Sequence, residues 1–477
     1  MFDTQLPSEN DGFGRNNRIH TAHMSPGQAS LFWALLSLEN RPYEARVEDP
    51  THGHIINGLA ANRYVTRTRV TICDGLVLDH RLDSNSLPFA LYSYSAWMDK
   101  MLFDPTRVAD KTRDYIIRHY HESEGSRQIV MLIANILKSI AFNPSLDPDY
   151  SCKALALERL IRRSLAQVAN RPLNPSREVD AREARKGLYH TIEFFAASRF
   201  APVQMSLNVL REAAPVFRRA LSGPLNEYVH LPTALLHPEP NIRNYPLMDI
   251  VYSMVTGLPT NVKYNTVWYP GATDYALLVD DQGHLGMSWL NGLPNQLIVV
   301  LARINALSED DGTDSDIEMV YEIEESLRTL YKEIGDHSRL LHPTNKLRVA
   351  VPRAWCQVAY IYLYLSVCGA DASDARVVCA QQEIMRIINS CEPSLNLDVH
   401  LCVCMIFAGV VTSNPDERST ILTRLFNLPE NTLFDSGVRA GIQSLQDVWA
   451  RADVESRPAE WNDYRLAAVR VAGQWVV

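Results

Sequence analysis

The chain has 477 residues, 46% of them hydrophobic and 21% charged, a balance that excludes a disordered polymer and calls for a sizeable buried core. Its net charge of −9, with no run of five or more Lys/Arg, excludes an obvious duplex-binding surface or basic arm. Neither apolar stretch, Ala354 to Ala370 or Leu401 to Val411, reaches the roughly 18–20 uninterrupted apolar residues of a membrane span, and the polar start MFDTQLPSENDGFGRNN lacks the apolar centre of a secretory signal.

In chain order, residues 1–85 read as a mostly irregular, polar segment. Within it "PGQASLFWALLSL" (26–38) has the spacing of a short helix, and "YVTRTRVTICDGLVLDH" (64–80) alternates like a strand. From Leu87 the pattern turns helical. The spacing predicts helices over 87–103, 105–120, 125–142, 155–168, 181–199, 203–221 and 245–257. Arg159, Arg162 and Arg163 form a wet basic face balanced by Glu158. Pro232, Pro238, Pro240 and Pro246 are expected to break or start helices.

Residues 258–295 are the longest stretch without helical periodicity, rich in Gly and Pro and carrying Trp268, Tyr269, Tyr275 and Trp289. Long loops of this kind are often functional, so this is the first place to look for a binding site; the plainer reading packs the aromatics onto the helices. Helices resume over 295–307, 316–335, 353–368, 374–390, 397–411, 415–427, 437–451 and 461–473. The expected fold class is all-α, a large multi-helix bundle over 86–477.

The most acidic stretch, "SEDDGTDSD" (308–316), contains Asp310-Asp311-Gly312-Thr313-Asp314, which fits the DDxxD pattern that holds magnesium and diphosphate in helical isoprenoid synthases. Such a site needs a second metal-binding stretch of the form [ND]-D-x-x-[ST]-x-x-x-E. The nearest match, Asn462-Asp463-Tyr464-Arg465-Leu466, has Leu at the hydroxyl position and Arg470 in place of the acid, leaving the ion short of oxygen ligands. Ser315-Asp316-Ile317-Glu318 reads instead as a capping box, with Asp314 and Asp316 at the positive end of the helix dipole.

The other constellations are equally plain. His119 and His121 read as surface histidines favoured by a helix C-terminus. Asp280-Asp281 before Gln282-Gly283 is a turn signature, and Asn414-Pro415-Asp416-Glu417 a capping box with Pro at the first helical position. Cys402 and Cys404, two apart on a helix, point roughly 200° apart and cannot share a metal. The cysteines are expected to be reduced. No catalytic, cofactor-binding or metal-binding residue is nominated, and the chain is expected not to be an enzyme.

Six segments together carry a family likeness: "GQASLFWALLSL", "SNSLPFALYSYSAWMDKMLFDP", "NYPLMDIVYSMVTGLPTNVKYN", "LPNQLIVVLARINALSED", "YIYLYLSVCGADASDARV" and "VWARADVESRPAEWNDYRLAA". In this order they resemble the regulatory, or middle homology, domain of fungal zinc-cluster transcription factors, closest to the basidiomycete group. The likeness covers roughly residues 26–473. It implies an all-α regulatory domain of a nuclear transcription regulator, working through co-regulators, another transcription factor subunit or a small effector. The family's zinc sits in an N-terminal cluster with six cysteines spaced C-x2-C-x6-C. This sequence has no C-x2-C, so no zinc ligand carries over and direct DNA reading by this chain is not implied. A helical interaction scaffold unconnected with transcription is the rival from composition; the magnesium-dependent synthase is the enzymatic one.

Overall fold

The computed structural model describes residues 85–473, apart from 143–144, 146, 268–285, 310–315, 339–345 and 434–435. An N-terminal group comprises α1 (Ser86–Met101), α2 (Ala109–Glu122), α3 (Glu124–Phe142), α4 (Tyr150–Ala169), α5 (Arg177–Gly187), α6 (Thr191–Ser198) and α7 (Val203–Ala220). A central group follows, with β1 (Val229–His230), α8 (Leu231–Leu235), α9 (Pro240–Thr256), β2 (Tyr264–Asn265), α10 (Ser288–Asn291) and α11 (Asn295–Glu309). The C-terminal group is α12 (Asp316–Ser338), α13 (Lys346–Ser366), α14 (Ala375–Asn389), α15 (Leu395–Val411), α16 (Pro415–Phe426), α17 (Gly437–Glu455) and α18 (Trp461–Gly473).

The fold is all-α. Among the described residues the only named strands are β1 and β2, a two-residue parallel pair with Val229 opposite Tyr264 and His230 opposite Asn265.

Two kinds of helix build the body. Amphipathic helices present one stripe, as α3 does with Val130, Ile133, Ala134, Leu137, Ile140 and Ala141 against α1. Others are buried almost all round: α15 hides every residue from Leu397 to Cys402 and from Cys404 to Val411. That encirclement, rather than a lipid bilayer, explains its long apolar run. No helix among the described residues is long and apolar enough to cross a membrane.

Consecutive helices pack on one another (α2 on α3, α12 on α13, α13 on α14, α17 on α18), and long-range contacts of α1 with α15, α7 with α9 and α9 with α18 tie the three groups together. Helices α15 and α17 approach closely because glycines face the partner helix. A Cβ on Gly441 would stand 2.5 Å from Ile406 Cδ1, and one on Gly409 would lie 3.0 Å from the Leu445 methyls.

Most predicted helices stand with ends shifted by a few residues, but four expectations need correction. The helix read over 181–199 is two helices, α5 and α6, separated by a bend at His190, whose φ of 65° is left-handed. Its apolar periodicity runs straight through the bend, so the sequence hides it. The helix predicted from 245 begins at Pro240, and Pro246 lies inside it. An interior proline costs about 3 kcal/mol. Burial of Ile242, Tyr245, Leu247 and Ile250 on the same helix, at roughly 1.5–3 kcal/mol for a large apolar side chain, exceeds that.

His119 is no surface residue: it is buried at 5% exposure, with its Nδ1 2.9 Å from the Tyr115 carbonyl and its ring against His190. Finally, the Asn414 box stays half open. Asn414 Oδ1 accepts from the Asp416 N–H at 2.9 Å, but Glu417 turns to Gln381 Nε2, at 2.7 Å, and the Thr412 hydroxyl. The N-terminal segment 1–84, where a short helix and a strand were expected, the acidic motif Asp310–Asp314 with the expected cap Ser315, Asp280-Asp281 and Trp268 lie outside the described residues.

Candidate functional site

The residues singled out in the sequence are mostly structural. Asp463, from the would-be second metal stretch, accepts from the Glu460 N–H at 3.0 Å and pairs with Arg457 at 2.7 Å and Arg451 at 3.3 Å. The Arg457 guanidinium holds its carboxyl below the usual range. Its work is to start α18. Trp289, from the suspected loop, donates its Nε1–H to the Gly286 carbonyl at 3.0 Å, within its own segment. Arg162 lies on the wet face of α4, paired with Glu212 at 2.6 Å and Glu158 at 3.6 Å. Cys402 and Cys404 are free thiols buried on α15, and burial pushes Cys402 up to about 12. Neither is a nucleophile at neutral pH.

A cavity of about 290 Å³ opens where the three helical groups meet. Helix α1 brings Trp97 and Met101 to it; α6, Phe195; α9, Asn244, Met248 and Val251; α13, Trp355; and α15, His400 and Ile406. Helices α17 and α18 close the remaining wall, with Ala440 and Val471 among others. Of the described residues of the suspected loop, only Leu290 and Asn291 reach it. The volume is close to the lower end of ordinary small-molecule pockets, about 300 Å³.

Most polar groups of this wall are already bonded within the protein. Ser436 Oγ accepts from the Arg439 N–H at 3.3 Å, as the N-cap of α17. Ser444 Oγ donates to the Ala440 carbonyl at 3.0 Å, and Thr256 Oγ1 to that of Tyr252 at 2.6 Å. Tyr464 donates to the Val255 carbonyl at 2.9 Å, and Gln204 to Asn208 at 2.8 Å. The charged Arg199 sits 2.9 Å from the buried Glu430 and donates to the Val399 carbonyl at 3.2 Å.

Four side chains differ. Trp97 Nε1, Trp355 Nε1, His400 Nε2 and both amide atoms of Asn244 have no hydrogen-bond partner, although the four residues are only 1–5% exposed. Unpaired polar groups so deeply buried are rare and costly. Burial, helped by the charge of Arg199, pulls the His400 ring down to about 3, so it is neutral. A hydrogen bond to the Leu102 backbone opposes that shift. With that carbonyl served by the other ring nitrogen, Nε2 remains an acceptor.

None of these four was singled out by the sequence reading. The legible signal was Asn244 heading the stripe Met248, Val251 and Val255 on α9, a polar residue in line with an otherwise apolar face.

A family model described as "Fungal specific transcription factor domain" matches residues 240–467. Residues 240–467 are thus similar to fungal specific transcription factor domains. That likeness supports a role in transcription regulation, in line with the ordered likeness along the sequence. No curated protein and no solved structure matches it. The matched stretch begins at the first residue of α9 and ends within α18. It therefore supplies the cavity wall from α9, α10, α13, α15 and α17, and Tyr464 of α18; Ala468 and Val471 lie beyond it. Trp97 of α1, Phe195 of α6 and Arg199, which caps the end of α6, come from ahead of it.

Proposed function

We propose that residues 86–477 act as one regulatory domain of a nuclear transcription regulator, adjusting output through contacts with co-regulators or another transcription factor subunit under the control of a small effector bound in the cavity. The observation that carries this reading is the cavity itself: helices from both sides of the family boundary wall it, and four buried polar groups in the wall lack partners. A ligand with differential affinity for two arrangements of these helices would shift their populations and so the surface offered to partners. In this reading the domain acts by contact rather than catalysis and needs no metal or cofactor of its own. Among the described residues no three His, Cys, Asp or Glu side chains group as a metal site.

The test is to fill the cavity. With the full chain tethered to a reporter promoter through a heterologous DNA-binding module, Ala440→Phe and Val251→Phe should each change output several-fold while thermal melts show a folded protein. Unchanged output from two folded, filled variants would discard the effector reading.

A further inference from the structure

The strongest unassigned feature is the chemistry of the cavity wall. Building on the effector reading above, we infer that the cavity takes an uncharged, largely apolar molecule ending in a group that both donates and accepts hydrogen bonds, with Asn244 and His400 reading that end.

Three observations carry this. First, the wall is chiefly hydrocarbon and aromatic, with Met101, Phe195, Leu247, Val251, Ile406 and Val471 among its residues. An apolar body gains by leaving water for such a surface.

Second, the wall holds no uncompensated charge. Arg199, its one formally charged side chain, is matched by Glu430 at 2.9 Å, and the His400 ring is neutral. A carboxylate or ammonium entering here would lose its hydration without gaining a counter-ion, a far larger penalty than for a hydroxyl.

Third, the unpaired groups make a mixed set. Asn244 offers a donor and an acceptor, His400 Nε2 an acceptor, and the Trp97 and Trp355 indoles donors. An alcohol, phenol or amide can satisfy such a set; a hydrocarbon cannot.

The volume fixes the scale. At about 30 Å³ per water in the liquid, some 290 Å³ exceeds what an ion or a single solvent molecule fills and suits a small organic molecule.

The test uses the full chain and three probes of equal chain length: decanol, decanoate and decylamine. Binding is read by thermal shift and by tryptophan fluorescence, to which Trp97 and Trp355 contribute from the wall. Decanol should bind at least about tenfold more tightly than either charged probe, a difference of about 1.4 kcal/mol. Asn244→Leu and His400→Phe should each narrow that preference at least about threefold, with the unliganded melting temperature unchanged or raised. A group needed only for folding would lower it instead. Val403→Trp, which fills the cavity from one turn along α15 from His400, should abolish decanol binding.

The outcomes separate the claims. Decanoate or decylamine binding as tightly as decanol overturns the ligand class and leaves the effector reading standing. Decanol affinity that ignores both polar substitutions overturns the roles of Asn244 and His400. Failure of all three probes to bind, or decanol binding that survives Val403→Trp, removes the cavity as a binding site and this inference with it.

Discussion

The junction of α5 and α7 and the wall of the cavity both bury polar groups, with opposite results. At the junction Asp180, 1% exposed, accepts from the Asn174 N–H at 3.1 Å and from Arg219 Nε and Nη2 at 3.1 and 2.6 Å. Arg219 also donates to the carbonyls of Val168 and Arg171, at 2.7 and 2.8 Å. Hydrogen bonding from Arg219 holds the Asp180 carboxyl at about 2. Asp249 is similar, accepting from the Asn261 N–H and side-chain amide, the Val262 N–H and the Tyr264 hydroxyl, and so pinning the chain that follows α9. In the cavity wall Trp97, Asn244, Trp355 and His400 have no such closure. At the junction and on α9 the buried carboxylates are surrounded by partners. Unpaired groups are not confined to the cavity, since both amide atoms of Asn295 also lack partners outside it, but four such side chains on four helices line one volume.

The comparison can be broken most forcefully at the junction. Arg219→Leu strips Asp180 of its nearest counter-charge, leaving only Arg171 and Arg177 at 3.5 Å, and should cost about 3 kcal/mol, measured by urea unfolding. A cost below about 1 kcal/mol would mean that those two arginines suffice to hold the buried carboxylate.

At the cavity the sign reverses. Asn244→Leu removes two unpaired atoms from the interior and should stabilise the unliganded protein by about 1–3 kcal/mol, the usual penalty for such groups. A loss of stability there would show that the amide finds partners in solution and erase the contrast.

The third test is pH. His400 has a folded pKa of about 3 against an unfolded value of about 6.5. Below about pH 6.5 the unfolded chain therefore takes up a proton that the folded chain refuses. Stability falls as pH drops from about 6.5 toward 3, by up to about 1.4 kcal/mol per pH unit for this site. His237, pulled down to about 4 by burial, adds to the same slope. His400→Phe should flatten the profile between about pH 6.5 and 4.5, above the range where carboxylates titrate. An unaltered profile would place the imidazole in water.

The smallest effect is a control within the wall. Ser436 is bonded, capping α17, so Ser436→Ala should destabilise by about 1 kcal/mol, opposite in sign to Asn244→Leu at the same cavity.

How much of this was legible in the sequence divides along the range of the interactions. Helices set by local periodicity, such as α3 and α16, were readable to within a few residues, as was the wet basic face of α4. The bend at His190 was not, because apolar spacing continues across it and the left-handed φ is held by a distant partner, Tyr115, whose hydroxyl lies 2.9 Å from His190 Nδ1. Pro246 misled in the same way: burial overrode a local rule. Glu417 was diverted from its expected cap by Gln381, 36 residues earlier. The cavity was the least legible feature, since Trp97, Asn244, Trp355 and His400 lie on four helices that only the folded chain brings together.

Gly441 lines the cavity and lets α17 lie flush on Ile406 of α15, where an added methyl group would stand 2.5 Å from Ile406 Cδ1 and oblige that side chain, itself part of the wall, to turn. The bore of the chamber thus responds to one hydrogen atom, while the atoms that would greet a guest sit elsewhere. Size selection and chemical selection are separable, and a lineage could retune the first by a single substitution without disturbing the second.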